Sequence, residues 1–208
     1  MNKVNYQKEL EKILEKLDTE KDGPRKRLLL HACCAPCCSY VLEYLREYFD
    51  ITVLYYNPNI TEKDEYDKRV EELRRLVEIM SRREEGSWNI RMEEGPYVPE
   101  QFFKMAQGLE AIPEGGIRCF GCYEMRLRET ARRAAEGGYD YFTTSLTISP
   151  LKNAEKLNEI GNQLEKEYGV ACLHSDFKKK NGYKRSVELS EEYGLYRQDY
   201  CGCVYSMR

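Results

Sequence analysis

The stretch Leu28-Leu29-Leu30-His31-Ala32-Cys33-Cys34-Ala35-Pro36-Cys37-Cys38 decides how this chain is read, because an apolar run ends abruptly there in four thiols. The run from Arg27 to Leu30 is short, is preceded by Gly23-Pro24 and is followed by a helical pattern, which predicts a buried parallel strand feeding a helix. Pro36 suits the first turn of that helix, where its missing N–H costs nothing. Neighbouring side chains in a strand point to opposite faces, so Cys33 and Cys34 can converge only if the strand ends at them. Loops at the carboxyl ends of strands are also where α/β proteins keep ligands, so the chemistry of this chain is expected here.

Working outward, strand one is expected over 27–33 and a helix over 37–49, with Val41, Leu42, Leu45 and Phe49 facing the sheet. Upstream, residues 1–22 read as an amphipathic helix followed by a Lys-Asp-Gly-Pro breaker. Downstream, Ile51 to Tyr56 reads as strand two, closing on Asn57-Pro58-Asn59. A long charged helix over 61–83 buries Val70, Leu73, Leu76, Val77 and Met80, and a third strand spans 88–92. A helix over 98–116, ending in the turn Pro113-Glu114-Gly115-Gly116, precedes a second helix opened by Cys119 and Cys122 and running to about Glu136. A fourth strand is expected over 139–146, a helix over 153–168 capped by Gly169, a fifth strand over 170–173 and a helix over 185–193. The alternation predicts an α/β fold, a mostly parallel five-stranded sheet flanked by helices, as one domain over 1–208 with a cysteine-containing tail at about 195–208.

A chain of 208 residues is long enough to bury a sizeable core, so its nine cysteines do not argue for a disulfide framework. Met1 to Lys16 is charged and helical in pattern with no apolar h-region, and no run approaches the length of a membrane span. A cytoplasmic protein with reduced thiols is expected, in which clustered cysteines serve as metal ligands or redox catalysts. The formal charge of −3 argues against a general nucleic-acid binder. Two local basic clusters stand out, Lys178, Lys179, Lys180, Lys184 and Arg185, and Arg118, Arg126, Arg128, Arg132 and Arg133, each read first as a solvated face.

Cys119 and Cys122 form a C-x-x-C, a spacing shared by zinc, iron–sulfur and thiol redox sites. With Cys33 and Cys34 they supply four thiolates, the number a cubane cluster wants and also the number a closed zinc site wants. Cys34-Ala35-Pro36-Cys37 could be a thioredoxin-like dithiol, but Cys33 and Cys38 flank it and would scramble such a pair. Cys38 and Cys172 read as small buried hydrophobes. In Cys201-Gly202-Cys203 one residue separates the thiols, making a cramped and labile disulfide, so the pair reads as redox-active, with metal ligation as the competing assignment. His31 reads as a hydrogen-bonded core residue. His174 and Asp176 follow strand five and are candidates for the crevice, Asp176 as an oxygen ligand or proton donor.

Together these residues make the sequence similar to the epoxyqueuosine reductase QueH family over nearly its whole length. The matching stretches are Leu29 to Cys37, Tyr56-Asn57-Pro58-Asn59-Ile60, Arg118-Cys119-x-x-Cys122-Tyr123, Thr143-Thr144-Ser145-Leu146-x-x-Ser149-Pro150 with Lys152-Asn153, Asp176-Phe177-Lys178-Lys179, and Tyr196 to Cys203. The resemblance implies a HUP-like three-layer fold related to the PP-loop enzymes, with cysteines in place of their phosphate-cradling loop. It implies reductive removal of the epoxide oxygen from epoxyqueuosine at the tRNA wobble position, the last step of queuosine formation, without cobalamin. It also implies a [4Fe–4S] cluster on Cys33, Cys34, Cys119 and Cys122 and a redox-active Cys201–Cys203 pair; a cluster iron, or an additional mononuclear iron held by some of the same thiolates with Cys37 or an aspartate, is expected to bind the epoxide oxygen. The resemblance names no physiological electron donor. Tyr55, Tyr56, Tyr66, Tyr196 and Tyr200 are candidates to stack a base, and the Lys178 to Arg185 cluster to hold phosphates. A zinc-stabilised RNA-binding module and a thiol–disulfide oxidoreductase are the alternatives.

Overall fold

A computed structural model describes residues 4–19, 23–82 and 88–206. The expected helix limits at 1–3, 20–22 and Arg83, with Lys21 and Asp22 of the breaker, lie outside the described residues. The elements in order are α1 (Tyr6–Thr19), β1 (Lys26–His31), α2 (Ala35–Leu45), β2 (Phe49–Tyr55), α3 (Lys63–Ser81), β3 (Ile90–Glu94), α4 (Pro99–Ala106), α5 (Ile117–Glu136), β4 (Tyr141–Thr144), α6 (Ala154–Tyr168), β5 (Ala171–Cys172) and α7 (Gly182–Glu192). A short 3-10 turn, Ser145–Ile148, follows β4, and another, Val204–Ser206, ends the tail.

All five strands are parallel, in the order β3-β2-β1-β4-β5. Alternation along β1 explains the three layers. Leu28 and Leu30 face a core built with α1, α2 and α3, while Leu29 joins Leu54 and Phe142 against α5 and α6. The chain steps outward from β1 to β3 and then returns to lay β4 along the other edge of β1. The carboxyl ends of β1 and β4 therefore flank the point where strand order reverses, the usual place for a ligand crevice in open α/β sheets.

Several boundaries differ from the sequence reading. Phe49 begins β2 rather than ending α2, and it reaches the same core from the strand, paired in register with Lys26. The helix expected over 98–116 stops at Ala106, and the chain turns through Gly108 at φ +78°. Strand one stops at His31, two residues short of its expected end, which frees Cys33 and Cys34 from the extended geometry that would have separated them. Cys38 and Cys172 are buried in the two cores.

Candidate active site

The first group of thiols is made by the end of β1. Ala32 makes the last sheet bond, its N–H donating to Leu54 O at 2.9 Å. Cys34 then caps α2 in extended conformation, its sulfur accepting from the Cys37 N–H at 3.4 Å. The sulfurs of Cys33, Cys34 and Cys37 lie within 4.8 Å of one another, with Cys33 and Cys34 at 3.7 Å. Among the described residues this is the one group of three metal-ligating side chains so gathered. Hydrogen bonds from Cys34 and Cys37 hold the Cys33 thiol well below its ordinary range. The same contacts act in reverse on the partners, pushing Cys34 up to about 12 and Cys37 up as well. Of the three, Cys33 is the one whose surroundings favour the thiolate, and the helix N-terminus beside it favours a negative charge there. From the 3-10 turn after β4, Ser145 accepts the Cys33 N–H at 3.3 Å.

The second group sits where α5 begins. Cys119 and Cys122 occupy its first two turns, and the Gly115 N–H donates to the Cys119 sulfur at 3.3 Å. Cys122 is buried against Phe102 and Ala106 of α4 and against Cys203, and burial pushes its thiol up. Cys119, Cys122, Cys201 and Cys203 line one small cavity with Tyr123, Arg126 and Lys152. A larger cavity of about 420 Å³ is lined by Cys33, Cys37, Cys201, Arg69, Arg126, Lys152, Gln198, Asp199 and Tyr200 among others. Cys201, Arg126 and Lys152 line both. The four thiols expected to share a cluster therefore stand as two pairs, Cys33 with Cys34 and Cys119 with Cys122, the first beside Cys37 and the second beside the tail.

The tail is held by the loop after β2 and by Arg69 of α3. Asn59 Nδ2 donates to Cys201 O at 3.0 Å, Arg69 to Tyr200 O at 3.3 Å, and the Thr61 N–H to Gly202 O at 3.3 Å. Gly202 has φ +92°, and a Cβ there would lie 2.6 Å from Ile60 Cγ1, so only glycine passes. Within the pair, the hydrogen bond from Cys203 and then the charge of Lys152 bring the Cys201 thiol down to about 5, while Cys203 is pushed up by the same bond. Ser206 Oγ lies 3.0 Å from the Cys201 sulfur. Lys152 is nearly buried and pairs with Glu114 at 2.9 Å.

Other expected site residues lie elsewhere. Asp176 is not among the residues lining either cavity, and its carboxylate pairs with Lys178 at 2.7 Å. Strand β5 is the outermost strand of its side, so the loop after it leaves the reversal point. His174 packs on Tyr6 and bonds Asn158 at 3.2 Å. His31 is fully buried: its Nε2 must donate to the Tyr56 carbonyl at 3.1 Å, which leaves Nδ1 to accept from Thr144 at 2.9 Å. Burial and Arg126 push its pKa down to about 4, so it is neutral. Tyr55, Tyr56 and Tyr66 are core residues, leaving Tyr200, over the Arg69 guanidinium, as the tyrosine of this set that lines the larger cavity. The solvated-face reading of Arg118 and Arg126 is corrected, since they are 2% and 4% exposed. They fall on the buried stripe of α5, one turn before and one turn after Cys122, a spacing visible in the sequence.

A parallel α/β sheet with thiols gathered at its reversal point defines a metal- or redox-competent thiol protein of the doubly wound class. The chain belongs to the epoxyqueuosine reductase QueH family, whose model matches residues 28–208. Proteins named epoxyqueuosine reductase QueH from Staphylococcus epidermidis and Streptococcus pyogenes are 46% and 44% identical to it, over 98% and 99% of this chain and 85% and 79% of theirs. One from Thermotoga maritima is 35% identical over 86% of this chain and 90% of its own length.

Proposed function

We propose that this protein reduces epoxyqueuosine to queuosine in tRNA, with an iron–sulfur group held by its cysteines and without cobalamin. The observation that carries this reading is the meeting of two thiol groups at the reversal point, joined by a cavity that both Cys33 and Cys201 line. Soft thiolate donors select iron–sulfur clusters or zinc, and the sulfurs of Cys33, Cys34 and Cys37, within 4.8 Å of one another, could hold a metal. Cys33, Cys34, Cys119 and Cys122 would hold a [4Fe–4S] cluster, and Cys37 would serve an additional iron. When bound, such a group supplies single-electron transfer and a Lewis acid.

The chain's own residues supply the rest. Converting the epoxide to an alkene breaks two C–O bonds and releases water, which takes two electrons and two protons. Oxidation of the Cys201 thiolate and the Cys203 thiol to one disulfide releases two electrons and one proton. The second proton comes from solvent, so the equation closes, and an external dithiol then regenerates the pair. Both are free thiols here. Cys201 faces both cavities and Cys203 only the smaller one, so Cys201 is the member nearer the substrate space. A cavity of about 420 Å³ suits a nucleoside drawn from a single-stranded anticodon loop. Asp176 has no part in this arrangement, and Asp199 is the cavity's aspartate.

Protein purified without air is expected to carry iron and sulfide in near-equal amounts, to lose both in Cys119→Ser, and to convert epoxyqueuosine in tRNA as read by mass spectrometry of digested nucleosides. Cys201→Ser should keep the metal and lose turnover. One zinc per chain without sulfide, and no conversion, would sink the proposal in favour of the zinc-stabilised module.

A further inference from the structure

Four cations are buried or nearly so around the two cavities; two of them have a carboxylate partner and a third has a cradle of three carbonyls. Arg69 pairs with Glu65 at 2.7 Å, Lys152 pairs with Glu114 at 2.9 Å, and Arg118 is wrapped by the carbonyls of Leu109, Glu110 and Ile112. Arg126 differs. It is 4% exposed, its Nε donates to Cys122 O at 3.1 Å, its Nη1 reaches Asn57 Oδ1 at 3.4 Å, and no carboxylate among the described residues pairs with it. Asn57 is itself fixed, donating to Ala32 O at 2.8 Å, so its oxygen is presented to the guanidinium. A buried charge without a counter-charge is strongly unfavourable, and Arg126 lacks even the three-carbonyl cradle of Arg118, so an anion beside it would complete the site. The groups able to supply that anion are thiols: Cys33, Cys122 and Cys201 each act on Arg126 electrostatically, and it lines the cavities of both thiol groups.

We propose that Arg126 is the counter-cation of the thiolate-held group and, as a positioning residue, raises its reduction potential. This rests on the reading that the thiols hold an electron-carrying group. Each electron added to such a group makes it more negative, so a fixed cation beside it favours the reduced form, and the low-dielectric surroundings enlarge the effect. Asn57 aims the guanidinium, and through Ala32 it ties that aim to the strand end from which Cys33 and Cys34 project.

The test compares Arg126→Met, which removes the charge, with Arg126→Lys, which keeps it. In protein reconstituted with ferrous iron and sulfide, a redox titration followed by EPR should find reduction about tenfold less favourable in Arg126→Met, a fall of about 59 mV for a one-electron couple, and within about threefold of the parent in Arg126→Lys. Thermal unfolding supplies a readout independent of turnover. Arg126→Met should melt lower than the parent when loaded, and as high or higher when stripped by chelator, because the unanswered charge is then gone. Should Arg126→Met not fold, Arg126→Gln, which keeps a donor toward Asn57, takes its place. An unchanged potential in the neutral variants, or equal destabilisation of loaded and stripped protein, would overturn the proposal and leave Arg126 a packing residue. Zinc in place of iron and sulfide would instead refute the reductase reading, and the loaded-against-stripped comparison made with Zn²⁺ would still decide the role of Arg126.

Discussion

Two thiols separated only by Gly202 are in different electrostatic positions, and that difference is measurable. Cys203 donates its hydrogen bond, and Lys152 adds its charge, so Cys201 ionises near pH 5 while Cys203 stays protonated. The sign follows from the chemistry of the anion: whatever favours the thiolate lowers the pKa, and removing Lys152 must raise it. In chelator-stripped, reduced protein, alkylation of Cys201 by iodoacetamide is expected to be nearly constant from pH 6 to 8. An ordinary thiol, with a pKa of about 8.5, gains about tenfold per unit over the same range. Peptide mapping by mass spectrometry separates Cys201 from the other eight cysteines of the chain. Lys152→Met should move the Cys201 profile upward by at least a pH unit, and a profile indifferent to that change would show that Lys152 serves Glu114 alone.

At the scale of elements, the site is an agreement between β1, α5 and the tail, brokered by the loop Tyr56 to Ile60. That loop accepts from His31 at Tyr56 O, donates to Ala32 O and accepts from Arg126 through Asn57, and donates to Cys201 O through Asn59. Gly202→Ala puts a Cβ against Ile60 in a backbone conformation that alanine avoids, so the tail should lift while the sheet stays. Hydrogen exchange is expected to rise over about 195–206, with little change in global unfolding and a loss of turnover of at least tenfold. Unaltered exchange in the tail would show that the loop does not hold it. What could be read beforehand follows the same division between local and distant. Strand β1 and its thiols were legible because an apolar run and a proline-marked helix start sit side by side in the chain. The stripe of α3, from Val70 to Met80, was legible from its period and is buried as expected. The partnership of Cys119 and Cys122 with the tail was not, because it joins segments some eighty residues apart and no local pattern encodes it. Arg126 was misread for a different reason: one arginine among five on α5 looked like part of a charged face, although its spacing from Tyr123, Leu127 and Thr130 sets it on the buried stripe.

At the scale of the whole molecule, charge is where the protein's shape and its partner meet. A net charge of −3 gives no general attraction for tRNA, and the surface cations are largely answered by acids. Arg132 pairs with Glu129 and Glu136, Arg82 with Glu78, and the basic run after β5 is spent on Asp176, Glu11, Glu188 and Glu43 through Lys178, Lys180, Lys184 and Arg185. That run is therefore a poor phosphate clamp, and its expected role in holding the anticodon loop is weakened by its own partners. Recognition should then rest on the cavity and on few phosphates. For an anticodon stem-loop, the slope of log affinity against log salt is expected to be shallow, about −2, since each phosphate engaged on a single strand contributes roughly −0.7. The joint change Lys178→Ala and Lys180→Ala should alter affinity by less than about threefold, because both lysines already face an acid, Asp176 and Glu11, and offer little net charge to a phosphate. Tyr200→Leu, which removes an aromatic ring from the cavity wall, should cost about tenfold at every salt concentration, since stacking does not release counterions. Fluorescence anisotropy between 50 and 300 mM salt decides among these. A slope steeper than about −5, made shallower by about 1.4 by the two lysine changes, would show that the basic face and not the cavity carries the tRNA.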